Sequence, residues 1–252
     1  MRLATIALLL AACRAPATPP QAALPVGEVL SAADTAGFAR ATLPRAFDFP
    51  ADHGPHPEFR SEWWYLTGHL QAGARRFGYQ LTIFRQALAP ATLAPPRPSA
   101  WASRQVYMGH LAVTDVEGHR FSAFERLARE GLGLGGAGAD RVWVEDWQLS
   151  PDFPLTLTAR EGDVGLALTV ARGRGPILQG EAGLSRKGPE PGNASYYYSF
   201  TRLPTSGRLV AGVRASRSPA RAGWTASGAP ARWVPSWPAG TGWPCTCPTG
   251  AT

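Results

Sequence analysis

The chain has 252 residues, 44% of them hydrophobic, with 25 lysines and arginines against 18 aspartates and glutamates and a formal net charge of +7. A positive balance of this size invites an anionic partner. Its placement argues otherwise: Arg2 lies in a leader-like N-terminus, Arg208, Arg214, Arg217, Arg221 and Arg232 lie in a C-terminal stretch without acids, and the remainder is close to neutral. Nucleic acid is therefore excluded as a partner. The cysteines are Cys13, Cys245 and Cys247, which is no disulfide framework, and Cys-Thr-Cys lacks the spacing and companions of a zinc site. A central region of about 160 residues, ample for an apolar core, must hold itself together by burial.

Residues 1–13, MRLATIALLLAAC, carry one positive charge, a short apolar run and small residues before a cysteine. That is the layout of a secretory signal, and it falls short of the ~20 apolar residues of a membrane span. Leu10-Ala-Ala-Cys13 resembles the bacterial lipobox. Cys13 is thus the expected lipidation site, the expected partner is a membrane reached through a lipid anchor, and the expected location is the bacterial cell envelope, at the outer membrane. Residues 14–40 begin Pro- and Ala-rich and read as a tether, so the chain should sit on a membrane without crossing it.

From Asp52 to Leu70 the sequence crowds ionisable and aromatic residues into the entry of a strand. Aromatic and β-branched residues from Arg60 onward, a turn at Ala72–Arg76, and alternating Tyr79, Leu81 and Ile83 in Phe77–Ala87 predict a β-hairpin with one buried face. Residues 89–104 read as a long loop, Gln105–Val116 as the next strand, and Glu117-Gly-His119 as a turn into a strand over 120–128. Residues 129–140, rich in glycine, read as a flexible loop. Strands follow over 141–149, 155–159, 164–171 and 194–203. About eight short strands and no long helix suit an antiparallel barrel large enough for one small ligand, although periodicity alone leaves a sandwich open.

Glu62 is the first candidate for chemistry, because a carboxylate beside Trp63, Trp64 and Tyr65 can be partly desolvated and so suited to proton transfer. The alternative is a structural pair with Arg60 or Arg85. Trp63, Trp64, Tyr65 and Tyr197 offer flat faces for an apolar ligand, or for core filling; Tyr196, Tyr197 and Tyr198 alternate faces, so at most two share one. His53, His56, Glu62 and His69 lack a zinc spacing, and Pro55 and Pro57 preclude a helix there. They read instead as polar groups that cap and hydrogen-bond the barrel mouth. Arg85 and Asp115 form a further candidate pair, and His110 reads as a satisfied barrel histidine. No Gly-x-Ser-x-Gly elbow is present, and neither metal nor cofactor is expected.

Several segments carry a resemblance to a known family. Asp48-Phe-Pro-Ala-Asp-His-Gly-Pro-His-Pro57, Glu62-Trp-Trp-Tyr-Leu-Thr-Gly68, Gly78-Tyr-Gln-Leu-Thr-Ile-Phe-Arg85, Tyr107–Asp115, Phe121–Glu125 and Ser195–Ser199 together resemble the carotenoid 1,2-hydratase-like family, often labelled predicted secreted hydrolases. The resemblance implies an all-β, lipocalin-like antiparallel barrel over residues 41–206, the first of a normally tandem pair. It also implies acid–base hydration or isomerisation of a hydrophobic small molecule. A non-catalytic carrier of a lipid or other hydrophobe is the alternative.

Residues 207–252 depart from this pattern. Residues 191–252 contain no acid, and the strand alternation dissolves into Arg, Pro, Gly, Ala and Trp. Reading GC-rich codons for residues 223–238 from their last base permits LDREWST, and continuing permits WDW, both of which resemble the family's second half. An out-of-frame, disordered tail without pairing beyond about Val213 is therefore expected, and with it a truncated, inactive polypeptide.

Overall fold

The computed structural model of the chain describes residues 36–90, 92, 99, 101–212 and 214–229, the last of these as backbone. Cys13, most of the tether and residues 230–252 lie outside the described residues. Among the described residues, thirteen strands form one antiparallel sheet: β1 (Ser61–Ala72), β2 (Arg75–Ala87), β3 (Gln105–Asp115), β4 (Arg120–Arg129), β5 (Gly135–Ala137), β6 (Val142–Val144), β7 (Trp147–Leu149), β8 (Leu155–Glu161), β9 (Val164–Val170), β10 (Ile177–Leu178), β11 (Leu184–Arg186), β12 (Ala194–Ala211) and β13 (Arg214–Ala229). Their order is β4-β3-β2-β1-β13-β12-β9-β8-β7-β6-β5, with β10 and β11 added beside β12. The only helical turns among the described residues are two short 3-10 turns, Ala51–His53 and Gly131–Gly133.

The expected antiparallel barrel is present as a strongly curled half-barrel. Its concave face collects alternate residues of each strand, as a period of two requires: Trp64, Leu66 and Leu70 from β1, Phe77, Leu81 and Ile83 from β2, Leu111 and Val113 from β3, and Leu155, Leu157, Leu166 and Leu168 from β8 and β9. Curling brings the β5–β7 end back over β3. A Cβ placed on Gly109 would come within 3.0 Å of the Trp147 ring, and one on Gly135 within 3.0 Å of Tyr107. Glycine is used there for close approach of a ring to backbone.

This corrects the reading of 129–140 as a flexible loop. The segment turns at Gly131–Gly133 and then pairs as β5 with β6, Gly136 opposite Trp143. Residues 141–149 form two strands rather than one, turned at Glu145, whose φ is +55°. The strand expected over 194–203 is longer, β12 continuing to Ala211 with a bulge between Phe200 and Leu203.

The expectation of no pairing beyond about Val213 is not met. β13 runs between β1 and β12 and pairs with both, Ser61 opposite Ala229 on one side and Ala211 opposite Arg214 on the other. Two strands with unpaired N–H and C=O rows demand a partner, and an extended stretch dominated by Ala, Gly, Ser and Arg supplies backbone for both without needing a side-chain period of its own.

Candidate functional site

Strand alternation and hairpin register together place two ionisable residues on the apolar face. Glu62 and Trp64 share the concave side of β1, and Glu62 lies directly opposite Arg85 of β2. Both are 2% exposed. Arg85 Nε donates to Glu62 Oε2 at 2.6 Å, its Nη2 donates to the Phe59 and His56 carbonyls at 2.6 and 2.9 Å, and its Nη1 reaches Gln105 Oε1 at 3.3 Å. A planar five-donor fork can satisfy four acceptors at once. Of the alternatives for Glu62, the structure therefore shows the pair with Arg85. Asp115 instead pairs with Arg75 at the other end of the sheet.

The other Glu62 oxygen holds the segment that precedes β1. Oε1 accepts from the His56 backbone N–H at 2.7 Å and lies 2.9 Å from His56 Nδ1; His56 Nε2 lies 2.9 Å from Asp52 Oδ1. Arg45 forks onto both oxygens of Asp52. Carboxylates only accept, so both imidazole nitrogens must donate and His56 is an imidazolium. Burial pulls its pKa down, but the hydrogen bonds to Asp52 and Glu62 outweigh this and push it up to about 9. Burial alone would raise the Asp52 carboxyl; hydrogen bonds from His56, Arg45 and the Asp48 N–H hold it well below the usual carboxylate range. The result is a chain of alternating charge, Arg45–Asp52–His56–Glu62–Arg85, running from the rim to the interior.

Around this chain the rings of the segment and of β12 interlock. Phe49 packs edge-on to Tyr198 and Phe200 at 4.8 and 5.8 Å, and Phe47 to Tyr198 at 5.4 Å. The Tyr198 hydroxyl donates to the Asp52 carbonyl at 2.8 Å and, its one proton spent, accepts from His53 Nδ1 at 2.9 Å. Burial pushes His53 down to about 4, so it is neutral near pH 7. A shallow cleft, open to solvent and with room for about one water molecule, lies above Asp52, His56 and Glu62 and is walled by Phe47, Phe59, Trp63 and Tyr196.

The other predicted residues are divided between the two faces. Trp64 is on the concave side, 2% exposed, with its indole N–H donating to the His53 carbonyl at 2.9 Å. Trp63, Tyr65 and Tyr197 alternate with Trp64 and Tyr198 along their strands, and Trp63 and Tyr197 lie 6.3 Å apart across β13. Trp63 and Trp64 both line the cleft, and Tyr65 and Tyr197 are not among its lining residues. His69 is exposed on β1, and His110 is half-exposed against Phe84, 3.4 Å from Glu125 Oε2. The polar capping expected of His53 and His56 is what the hydrogen bonds show. Arg45 and Asp52 were not among the residues singled out; the signal for Asp52 was its place in the same Asp-His-Gly-Pro-His run.

A family model described as AttH-like matches residues 40–219. The chain belongs to the AttH-like family. Among solved structures, this AttH-like chain is similar to the crystal structure of a Nitrosomonas europaea protein described as an AttH, with 29% identity and a TM-score of 0.67 over 76% of this chain. It is also similar in fold to kievitone hydratase from Nectria haematococca, with 12% identity and a TM-score of 0.51 over 77% of this chain. The AttH-like chain spans 58% of the length of each. No curated protein matches it.

Proposed function

We propose that the AttH-like half-barrel is the ligand-facing part of a protein that carries out acid–base hydration or isomerisation of a hydrophobic small molecule, as carotenoid 1,2-hydratases do. The observation that carries this reading is the His56 imidazolium held between two carboxylates on the floor of an aromatic-walled cleft. Adding water to a double bond begins with proton delivery and leaves a cation. The first step needs a positioned acid, and the second is helped by ring faces. His56 supplies the proton by turning its Nε2–H from Asp52 to the double bond; water then adds to the resulting cation and gives its extra proton back to His56 Nε2, while Phe47, Phe59 and Tyr196 supply the faces. Glu62, anchored by Arg85, keeps His56 in place and is not the donor. The similarity to a hydratase supports the reaction class and leaves the substrate open. No step requires a cofactor.

The test is turnover of an apolar polyene by the wild type and by His56→Gln. Loss of at least a hundredfold in kcat, with ligand binding retained, is the expected result. Binding without turnover in both proteins would make the chain a carrier. We propose further that Cys13 is acylated and holds the protein at the outer membrane. Metabolic labelling with a radioactive fatty acid should mark the wild type and leave Cys13→Ser unlabelled; labelling of both would end the lipoprotein reading.

A further inference from the structure

The end of the sheet that carries the cleft also carries an unusual set of exposed apolar side chains. Leu88 follows β2, Trp101 precedes β3, and Leu132 and Leu134 follow β4. These connections are stitched together, because Leu88 N–H donates to the Arg104 carbonyl at 2.8 Å and Glu130 N–H to the Gln105 carbonyl at 3.1 Å. Trp101 is 73% exposed, the largest side chain so placed among the described residues, and Leu43, on the segment before β1, is 72% exposed. Leu132 is held in the left-handed region at φ +60°, a conformation that costs a leucine energy. The described segment ahead of β1 lies at this same end, where Ala39 N–H donates to the Glu58 carbonyl at 2.9 Å. Arg40, Arg129 and Lys187 are exposed at this end, together with the acids Glu58, Glu145 and Glu190, Glu145 N–H donating to the Leu134 carbonyl at 2.6 Å.

We propose that this end of the half-barrel docks onto a phospholipid bilayer, with Trp101 and the loop leucines seated at the headgroup boundary and Arg40 and Arg129 against its phosphates. An amphipathic indole suits that boundary, and large apolar side chains gathered at one end of a soluble surface mark a contact. The contact adds to any anchor at Cys13 and goes beyond the proposed chemistry, which would be fed by hydrophobic molecules drawn from the same bilayer.

The experiment is flotation of the full chain, carrying Cys13→Ser so that acylation is absent, with vesicles of phosphatidylglycerol and phosphatidylethanolamine and with vesicles of phosphatidylcholine alone. The set Leu88→Ser, Trp101→Ser and Leu132→Asn should weaken binding to both kinds of vesicle at least tenfold, whereas Phe121→Ser, 70% exposed at the opposite end of the sheet, should leave it unchanged. Asparagine keeps the left-handed turn at 132 accessible. Equal affinity of the substituted chain and its parent, or an equal loss with Phe121→Ser, overturns the proposal. So does unchanged vesicle binding accompanied by a shifted sedimentation coefficient, which would assign the patch to a second copy, or by a lowered thermal midpoint, which would assign it to a contact within the chain. Since no turnover is read, failure here and failure of the proposed chemistry are distinguishable.

Discussion

Arg85 and Arg126 are both surrounded by oxygen, yet they do different work. Arg85 is buried with one carboxylate, two carbonyls and an amide oxygen. Arg126 is 16% exposed and faces Glu145, Asp146 and Glu161, which are 41–71% exposed, while stacking over Trp147 at 4.4 Å. Counting ion pairs would rank Arg126 first. Desolvation reverses the order: charges that water can reach gain little from pairing, whereas a buried charge stripped of its partner bears the full cost of its lost hydration.

The sharpest way to break this comparison is Arg85→Met, which should lower stability by about 3–5 kcal/mol in urea unfolding, because Glu62 and the Phe59 carbonyl lose their donors. Adding Glu62→Gln should restore part of that loss, and a double-mutant cycle would show the coupling. A loss below about 1 kcal/mol for Arg85→Met would mean that the interior is wetter than its burial suggests.

The two histidines give the next largest effect. The His56 pKa is raised from 6.5 to about 9, so its contribution, about 3 kcal/mol at most, is complete below pH 6.5 and is lost as the pH rises through 9. The His53 pKa is lowered from 6.5 to about 4, so its contribution, of similar size, is complete above pH 6.5 and is lost as the pH falls through 4. Stability should therefore peak near pH 6.5. His56→Gln should flatten the alkaline limb and His53→Gln the acid limb, as read by urea midpoints across the pH range. Asp52, held low by its partners, adds to the acid loss below the ordinary carboxylate range. Limbs that persist in both variants would place the titration elsewhere.

The smallest effect should come from Arg126→Gln, below about 1 kcal/mol and fading further at high salt. A larger loss would trace to its packing on Trp147 rather than to its three acids.

Much of this arrangement was legible in the sequence, for reasons that differ by region. The β1–β2 hairpin announced itself by alternation and by its turn, and its register put Glu62 opposite Arg85 on the apolar side. The pairing of Asp115 with Arg75 rather than Arg85 follows from the same register, which brings the start of β2 to the end of β3. The glycine run at 131–138 misled because glycine signals both freedom and close approach, and only the rings of Tyr107 and Trp143 show which applies. β13 left no periodic trace, since its place is fixed by the backbone needs of its neighbours. The capping role of His53 and His56 was visible; the link through Asp52 to Arg45 was not, because no spacing rule connects a loop carboxylate to an arginine in another turn of irregular chain.

The position of β13 also sets the order in which the molecule can be assembled. The meander β1–β4 contains only neighbours in sequence and can form as soon as it is synthesised. The far edge of β1 must then wait until residues 214–229 emerge, because Ser61 finds its partner only at Ala229. Closing so long a loop is slow. For that interval the nascent protein presents a long open strand beside its unfinished apolar face, which makes the newly made chain, more than the finished one, the form most exposed to misassociation.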